Sequence, residues 1–318
     1  MNIAVLTSGG DAPGMNAAVR AVVRTAVYNN INVTGVYKGF DGLIKNNTVP
    51  LNVYSVADII QRGGTFLYTA RSDEFRTQEG LKKAVSTLKN SGTDALIVIG
   101  GDGSYKGALS LADAGMNVIA IPATIDNDVA STDYSIGFDT AVNTAIDAIS
   151  KIRDTSYSND RVDVVEVMGR NCGSIALYAG IAGGAEIIVI PEVKIDMGEI
   201  CGKLLKGKKR GRLHSIIVYA EGMGDIENFC RIIEENDDIS VKTTRLGYIQ
   251  RGGSPSAFDR ILASRFGAEA VELILEGKYN RALCYTGNGY SDISIEQAVS
   301  MKVKFDSKVF ETAMMLSI

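Results

Sequence analysis

The chain has 318 residues, of which 46% are hydrophobic and 22% charged, with a formal net charge of −4. That length accommodates about two domains, each with a sizeable core. The acidic balance gives no electrostatic reason to expect nucleic acid or a membrane surface as a partner, and no run approaches the roughly 18 apolar residues of a membrane helix.

Met1 leads straight into the apolar run Ile3 to Leu6 without a basic segment or a cleavable apolar stretch, so a cytoplasmic protein is expected. Short β-branched runs then alternate with helical stretches: Ile3 to Leu6, Val33 to Tyr37, Ala95 to Ile99, Val118 to Ile121, Val162 to Val167, Ile187 to Ile190 and Ile216 to Tyr219. This rhythm predicts βαβ units and an α/β fold of mostly parallel sheets flanked by helices. Seven strands suit two sheets. A helix from about Phe138 to Ser156 is long enough to bridge two lobes, and Asp154 to Asp160 makes a polar break after it; the lobe boundary is placed near Asp139. No repeat, low-complexity tract or Gly/Ser/Pro linker appears, so the lobes are expected to meet in a packed cleft that holds the site.

Cys172, Cys201, Cys230 and Cys284 show neither metal-ligand nor redox spacing and are expected as reduced, mostly buried thiols. The single histidine, His214, opens an apolar strand and is expected to be structural. Any general base is then a carboxylate.

Three loops follow apolar runs and carry the chemistry. Thr7-Ser8-Gly9-Gly10-Asp11-Ala12-Pro13-Gly14-Met15-Asn16 is a glycine-rich turn before an apolar helix, a geometry that sets backbone N–H groups against an anion. It matches neither the dinucleotide fingerprint nor the P-loop. Gly100-Gly101-Asp102-Gly103-Ser104 repeats the pattern at a more central strand, where glycines admit a triphosphate and Asp102 suits Mg²⁺ on its oxygens. The plain alternative is that this Asp caps the helix that starts there. Thr124-Ile125-Asp126-Asn127-Asp128 places two acids within one short turn. A base that takes a proton from a sugar hydroxyl and a second acid that assists a cation would use that arrangement, whereas an Asx-rich turn accounts for one Asp only.

Phosphoryl transfer also needs cations aimed at the moving charge, and Arg71, Arg161, Arg170 and Arg251 stand beside glycines or strand ends. Arg20 and Arg24 lie four apart on the first helix, a like-charge pair that costs about 0.2–0.5 kcal/mol unless an anion bridges it. Lys206, Lys208, Lys209, Arg210 and Arg212 form the dense basic run. Such a run is ordinarily a solvated face, and a second phosphate-containing ligand is the alternative.

In these landmarks the sequence resembles the bacterial ATP-dependent 6-phosphofructokinases over essentially its whole length. They occur in order as Leu6 to Asn16, Gln61-Arg62-Gly63-Gly64-Thr65, Gly100 to Ser104, Thr124 to Asp128, Val165-Glu166-Val167-Met168-Gly169-Arg170, Ala220-Glu221-Gly222, and Gln250 to Pro255 followed by Phe258-Asp259-Arg260. The resemblance implies two Rossmann-like lobes, an ATP-binding one over 1–138 plus about 252–304 and a sugar-phosphate-binding one over 139–251 plus about 305–318. It implies transfer of the ATP γ-phosphoryl group to the 1-hydroxyl of fructose 6-phosphate, the committed step of glycolysis.

By the same resemblance Asp126 is the base, assisted by Arg71, Thr124 and Arg170, and Asp102 and Asp128 hold Mg²⁺. Gly10, Arg71, Ser72, Asp102, Gly103 and Ser104 contact ATP. Thr124, Ile125, Asp126, Met168, Gly169, Arg170, Glu221, Tyr248 and Arg251 hold the sugar phosphate, with Arg161 and Lys242 supplied by a neighbouring subunit of a homotetramer. An effector site for ADP or phosphoenolpyruvate maps to Arg20, Arg24, Arg153, Glu186, Arg210 and Arg212.

The chain departs from the family at four of these places. Lys242 stands where Arg is usual and Tyr248 where His is usual, so weaker fructose 6-phosphate binding is expected, because Lys lacks a bidentate fork and Tyr cannot carry a positive charge. Val53 and Leu213 replace frequent basic residues of the effector site, which predicts blunted regulation. Pyrophosphate-using relatives tend to carry Asp at position 103 and Lys at 123, whereas this chain has Gly103 and Ala123. A pyrophosphate-dependent kinase and a non-catalytic ligand-sensing paralogue remain the alternatives.

Overall fold

Continuous apolar runs become buried central strands. The computed structural model describes every residue except Asp160, Leu213, Asp238, Ile239 and Ile318, and for Asn236 and Asp237 the backbone alone. The chain divides into two units, Met1–Thr140 with Arg251–Val303 and Ala141–Gln250 with Lys304–Ile318. The expected boundaries fall at 138/139, 251/252 and 304/305.

Unit 1 begins with β1 (Asn2–Thr7), α1 (Met15–Tyr28), β2 (Asn32–Val36), α2 (Gly39–Ile44), β3 (Thr48–Leu51), α3 (Gln78–Asn90), β4 (Ala95–Gly100), α4 (Asp102–Asp113), β5 (Val118–Pro122) and the first turn of α5 (Phe138–Tyr157). Unit 2 continues with β6 (Val162–Val167), α6 (Ser174–Ala182), β7 (Ile187–Val189), α7 (Met197–Lys209), β8 (Ser215–Ala220), α8 (Ile226–Asp237) and β9 (Val241–Arg245). The chain returns to unit 1 for α9 (Ala257–Leu275), β10 (Arg281–Thr286), β11 (Gly289–Ser294) and α10 (Ile295–Ser300), then adds α11 (Ser307–Leu316) to unit 2.

The sheet of unit 1 runs β11-β10-β5-β4-β1-β2-β3, parallel except for the antiparallel edges β3 and β11. Its direction of winding reverses at β1, which pairs with β2 on one side and β4 on the other. Ligands of open α/β sheets bind at the carboxyl ends of strands flanking such a switch point. One face packs Leu6, Val36, Leu96, Val98 and Ala120 against Phe40, Tyr105 and Leu111. α1 and α9 approach closely because Gly267 has no side chain: a Cβ there would lie 2.6 Å from the Ala18 carbonyl oxygen. Unit 2 has the parallel order β7-β8-β6-β9, with Val164, Ile217 and Tyr219 packed on Leu204, Phe229 and Ile233.

All seven expected strands form, and among the described residues four more complete the sheets. β3 and β9 are edge strands whose sequences, Thr-Val-Pro-Leu and Val-Lys-Thr-Thr-Arg, are half exposed and carry no continuous apolar run. β10 and β11 form a hairpin across Gly287-Asn288, and only β10 is buried at its centre. The polar break expected from Asp154 starts later, because α5 continues through Tyr157.

The first turns of α5 and α9 cap each other. Asp259, with no exposed surface, accepts from the Gly137 N–H (2.9 Å), the Thr140 N–H (2.8 Å) and Thr140 Oγ1 (2.5 Å). Ser256 donates its N–H to Thr140 Oγ1 (3.0 Å) and its hydroxyl to Asp139 (2.5 Å). Burial nevertheless pushes the Asp259 carboxyl up to about 6, against the pull of its donors.

Candidate active site

Three loops leave the carboxyl ends of β1, β4 and β5 and touch without intervening side chains. The Ser8 N–H donates to the Ile99 carbonyl (2.9 Å) and the Ala123 N–H to the Gly100 carbonyl (3.0 Å). A Cβ on Gly100 would stand 2.5 Å from the Ser8 carbonyl oxygen and 2.4 Å from Ser104 Oγ, and one on Gly101 would stand 3.3 Å from Thr124 Cβ. Glycine at both positions is therefore what lets the loops close on one another.

Asp102 is the first residue of α4, and its N-cap is Gly101, which has no capping side chain. The plain capping role is thus not the one this carboxylate plays. It pairs instead with Lys106 Nζ at 2.7 Å and stays partly exposed, while Gly103 beside it meets no atom within 4 Å of where a Cβ would stand. Helix N-termini with open amides favour anions. Ser104 is buried behind them.

No group of three or more His, Cys, Asp or Glu among the described residues is arranged to enclose a metal ion. The donor set nonetheless fits Mg²⁺, which is commonly held by one or two carboxylates with the remaining ligands from phosphate and water. Asp102 and Asp128, each only partly buried, are carboxylates of that kind.

Asp126 is almost fully buried, 3% exposed, and its N–H donates to Thr124 Oγ1 at 3.2 Å. Asn127 next to it adopts the left-handed conformation, φ +52°. Ile125 turns its side chain into the core, so its main chain is what it offers a ligand. Arg71 is exposed, and Ser72 accepts the Phe75 N–H at 3.3 Å, opening a short 3-10 turn. Gly10 lies against the guanidinium of Arg251.

Three of the family landmarks brace one another. Asn16 accepts the Phe66 N–H (2.8 Å) and donates to the carbonyls of Arg62 and Gly63. Ser254 Oγ donates to the Gln61 carbonyl (2.7 Å), and a Cβ on Gly63 would lie 2.3 Å from the Gly253 carbonyl oxygen. The Gln61-to-Thr65 segment thereby ties the start of α1 to the loop that precedes α9.

In unit 2, Met168, Gly169 and Arg170 follow β6. Gln250, fully buried, accepts the Met168 N–H at 3.2 Å. Glu221 Oε1 accepts the N–H groups of Gly169 (3.2 Å) and Arg170 (2.8 Å), holding Arg170 at φ +54° with its side chain exposed. Arg161 pairs with buried Asp163 at 3.0 Å, and Asp163 also bonds Ser156. Lys242 is exposed opposite Asp163 in the strand register, and Tyr248 is 81% exposed.

Of the expected effector residues, Arg153 and Arg212 flank Glu186 at 3.6 and 4.0 Å, and Glu186 also accepts the Ile216 N–H (2.7 Å). In unit 1, burial and then the Arg24 charge lower the Arg20 pKa. Lys206, Lys208, Lys209 and Arg210 of the basic run are exposed, and Lys206, Arg210 and Arg212 join Lys203, Glu199 and Ser317 in lining a cavity of about 740 Å³. Lys203 was not singled out from sequence, since it precedes the basic run by nearly a turn of α7. Burial, followed by the Arg212 charge, lowers its pKa, and it donates to Ser317 Oγ at 2.5 Å. Val53 is half-buried; Leu213 lies outside the described residues. His214 packs against Tyr157, ring centroids 5.5 Å apart, and the four cysteines are free thiols, three of them buried.

A doubly wound sheet carrying glycine and acidic loops at its switch point is the architecture of a nucleotide-dependent transferase. The family model described as Phosphofructokinase matches residues 2–274. The chain is 58% identical over 316 residues to the ATP-dependent 6-phosphofructokinase of Alkaliphilus metalliredigens and 57% over 315 residues to that of Clostridium tetani, with 99% of each chain covered in both comparisons. Among solved structures, phosphofructokinase from Saccharomyces cerevisiae superposes with a TM-score of 0.89 at 34% identity, covering 100% of this chain and 48% of the yeast chain. The chain belongs to the phosphofructokinase family.

Proposed function

We propose that this chain transfers the γ-phosphoryl group of ATP to the 1-hydroxyl of fructose 6-phosphate, giving fructose 1,6-bisphosphate and ADP. The observation that carries the proposal is the direct contact of the loops after β4 and β5, Gly101 against Thr124, which sets Asp102 at an open helix start one strand away from buried Asp126. Full-length identity to curated ATP-dependent 6-phosphofructokinases supports it.

In this reading Gly10, Arg71, Ser72, Asp102, Gly103 and Ser104 hold ATP, and the empty space at Gly103 leaves room for a triphosphate. Asp126 takes the proton of the acceptor hydroxyl as its oxygen attacks the γ-phosphorus and the bond to ADP breaks, while Arg71 and Arg170 counter the moving charge. Asp102 and Asp128 would hold Mg²⁺, which when bound neutralises phosphate charge. Thr124, Met168, Gly169, Arg170, Glu221, Tyr248 and Arg251 hold the sugar phosphate. Arg161 and Lys242 of a neighbouring subunit complete that side in a homotetramer. Arg20, Arg24, Arg153, Glu186, Arg210 and Arg212 take an ADP or phosphoenolpyruvate effector.

A cytoplasmic location goes with this role; no helix among the described residues is long and apolar enough to cross a membrane. One coupled assay with fructose 6-phosphate and either ATP or pyrophosphate tests the reading. Turnover with ATP is expected; turnover with pyrophosphate alone, or with neither donor, would replace it by one of the two alternatives.

A further inference from the structure

The loop carrying Asp126 is closed by two residues that the reaction scheme does not use. Asn127 occupies the left-handed region at φ +52°, which Asn tolerates better than most residues. Such a conformation persists where surrounding contacts over-determine it. Here they do. Asn127 Nδ2 donates to the Asp133 carbonyl (2.8 Å), and Oδ1 accepts the Ser135 N–H (2.8 Å). Ser135 Oγ lies 2.6 Å from the Thr124 carbonyl oxygen and 3.0 Å from Asn127 Oδ1. A hydroxyl has one proton, so the shorter contact takes the bond and the Thr124 carbonyl is its acceptor.

Thr124 in turn accepts the Asp126 N–H on Oγ1 (3.2 Å). The returning segment is itself fixed: Ile136 N–H donates to the Pro122 carbonyl (3.0 Å), Asp133 N–H to the Tyr285 carbonyl at the end of β10 (2.8 Å), and Thr132 Oγ1 accepts the Tyr285 N–H (2.9 Å). A chain of hydrogen bonds therefore runs from a sheet strand, through Asp133, Asn127 and Ser135, to the residues on both sides of the Asp126 backbone. Ser135 has no exposed surface, so water cannot replace its hydroxyl, and its loss leaves a buried carbonyl short of a donor.

We propose that Ser135 and Asn127 are positioning residues for this reaction, a hydroxyl–carboxamide clamp that fixes where the Asp126 carboxylate points. The inference rests on Asp126 being the base. Misplacing a reacting group by about 1 Å costs on the order of 10²-fold, so Ser135→Ala is expected to lower kcat by ~10- to 100-fold and to leave KM for ATP within about twofold.

The deciding experiment is a cycle of kcat values for the full chain, Ser135→Ala, Asp126→Ser and the double variant. If Ser135 acts through Asp126, the double variant is no slower than Asp126→Ser. A structural role would multiply the two losses, and that result, or unchanged kcat in Ser135→Ala, overturns the inference alone. Near-normal turnover in Asp126→Ser overturns the base assignment, and the clamp with it. Asn127→Gly, which keeps the left-handed turn and removes only the carboxamide, runs through the same cycle and decides the matter should Ser135→Ala not fold.

Discussion

Arg251 lays its guanidinium on Gly10, so that a Cβ added to that glycine would stand 1.8 Å from Nη1 and 2.9 Å from Cζ. A residue proposed for ATP and one proposed for the sugar phosphate are thus in contact within unit 1. The backbone of Gly10 is not in the left-handed region, so alanine is conformationally acceptable there and its effect must act through Arg251. Gly10→Ala is expected to raise KM for fructose 6-phosphate by ~3- to 10-fold, the range a displaced cation contact of about 1 kcal/mol gives. Initial-rate kinetics with each substrate varied would contradict this if only KM for ATP rises.

Glu221 uses one carboxylate oxygen to hold two consecutive amides, those of Gly169 and Arg170. Glu221→Ala leaves both amides without that acceptor and frees the left-handed turn at Arg170, so KM for fructose 6-phosphate should rise by at least ~10-fold; charge-assisted bonds are worth about 1.5–3 kcal/mol. Glu221→Gln keeps an oxygen in place and should lie between the wild type and Glu221→Ala. Equal defects in the two variants would mean that the charge, and not the brace, matters.

Lys242 and Tyr248 are both exposed, free of packing demands that would complicate substitution. The double change Lys242→Arg/Tyr248→His supplies a guanidinium fork and a titratable ring, and is expected to lower KM for fructose 6-phosphate. A wild-type KM equal to or below that of the double variant removes the expectation of weakened binding.

Asp259 gives a pH signature of stability. Its carboxyl titrates at about 6 in the folded chain and near 3.9 when unfolded, so the folded state binds the proton more tightly. The proton-linked stabilisation is therefore fully present below about pH 4 and is lost as pH rises through about 6, a change on the order of 3 kcal/mol. Urea unfolding at a series of pH values should show this fall for the wild type relative to Asp259→Asn. Parallel pH dependences for the two chains would show that Asp259 titrates normally.

The interior of both sheets was legible from sequence because parallel central strands are buried on both faces and write themselves as runs such as Ala95 to Ile99. The edges were not, since β9 and β11 are only partly buried and mix polar with apolar residues. Asp102 and Asp126 stood out because acids beside glycines at strand ends are chemically conspicuous. Ser135 did not, and Asn127 was noted only as the amide between two acids, because the bonds that give them their place run to main-chain groups up to 11 residues away, which no local pattern encodes. Lys203 was missed, and Gln250 was named only within a landmark, for the same reason: a partner distant in sequence, Ser317 or the Met168 amide, gives each its place.

In the proposed reaction a single carboxylate, that of Asp126, removes the proton of the acceptor hydroxyl. Steady-state turnover of Asp126→Ser with ATP and fructose 6-phosphate, checked for an unchanged far-ultraviolet circular dichroism spectrum, measures that directly. A fall in kcat of ~10²- to 10⁴-fold, the usual cost of losing a positioned base, is the predicted result; a folded variant that turns over at close to the wild-type rate contradicts it.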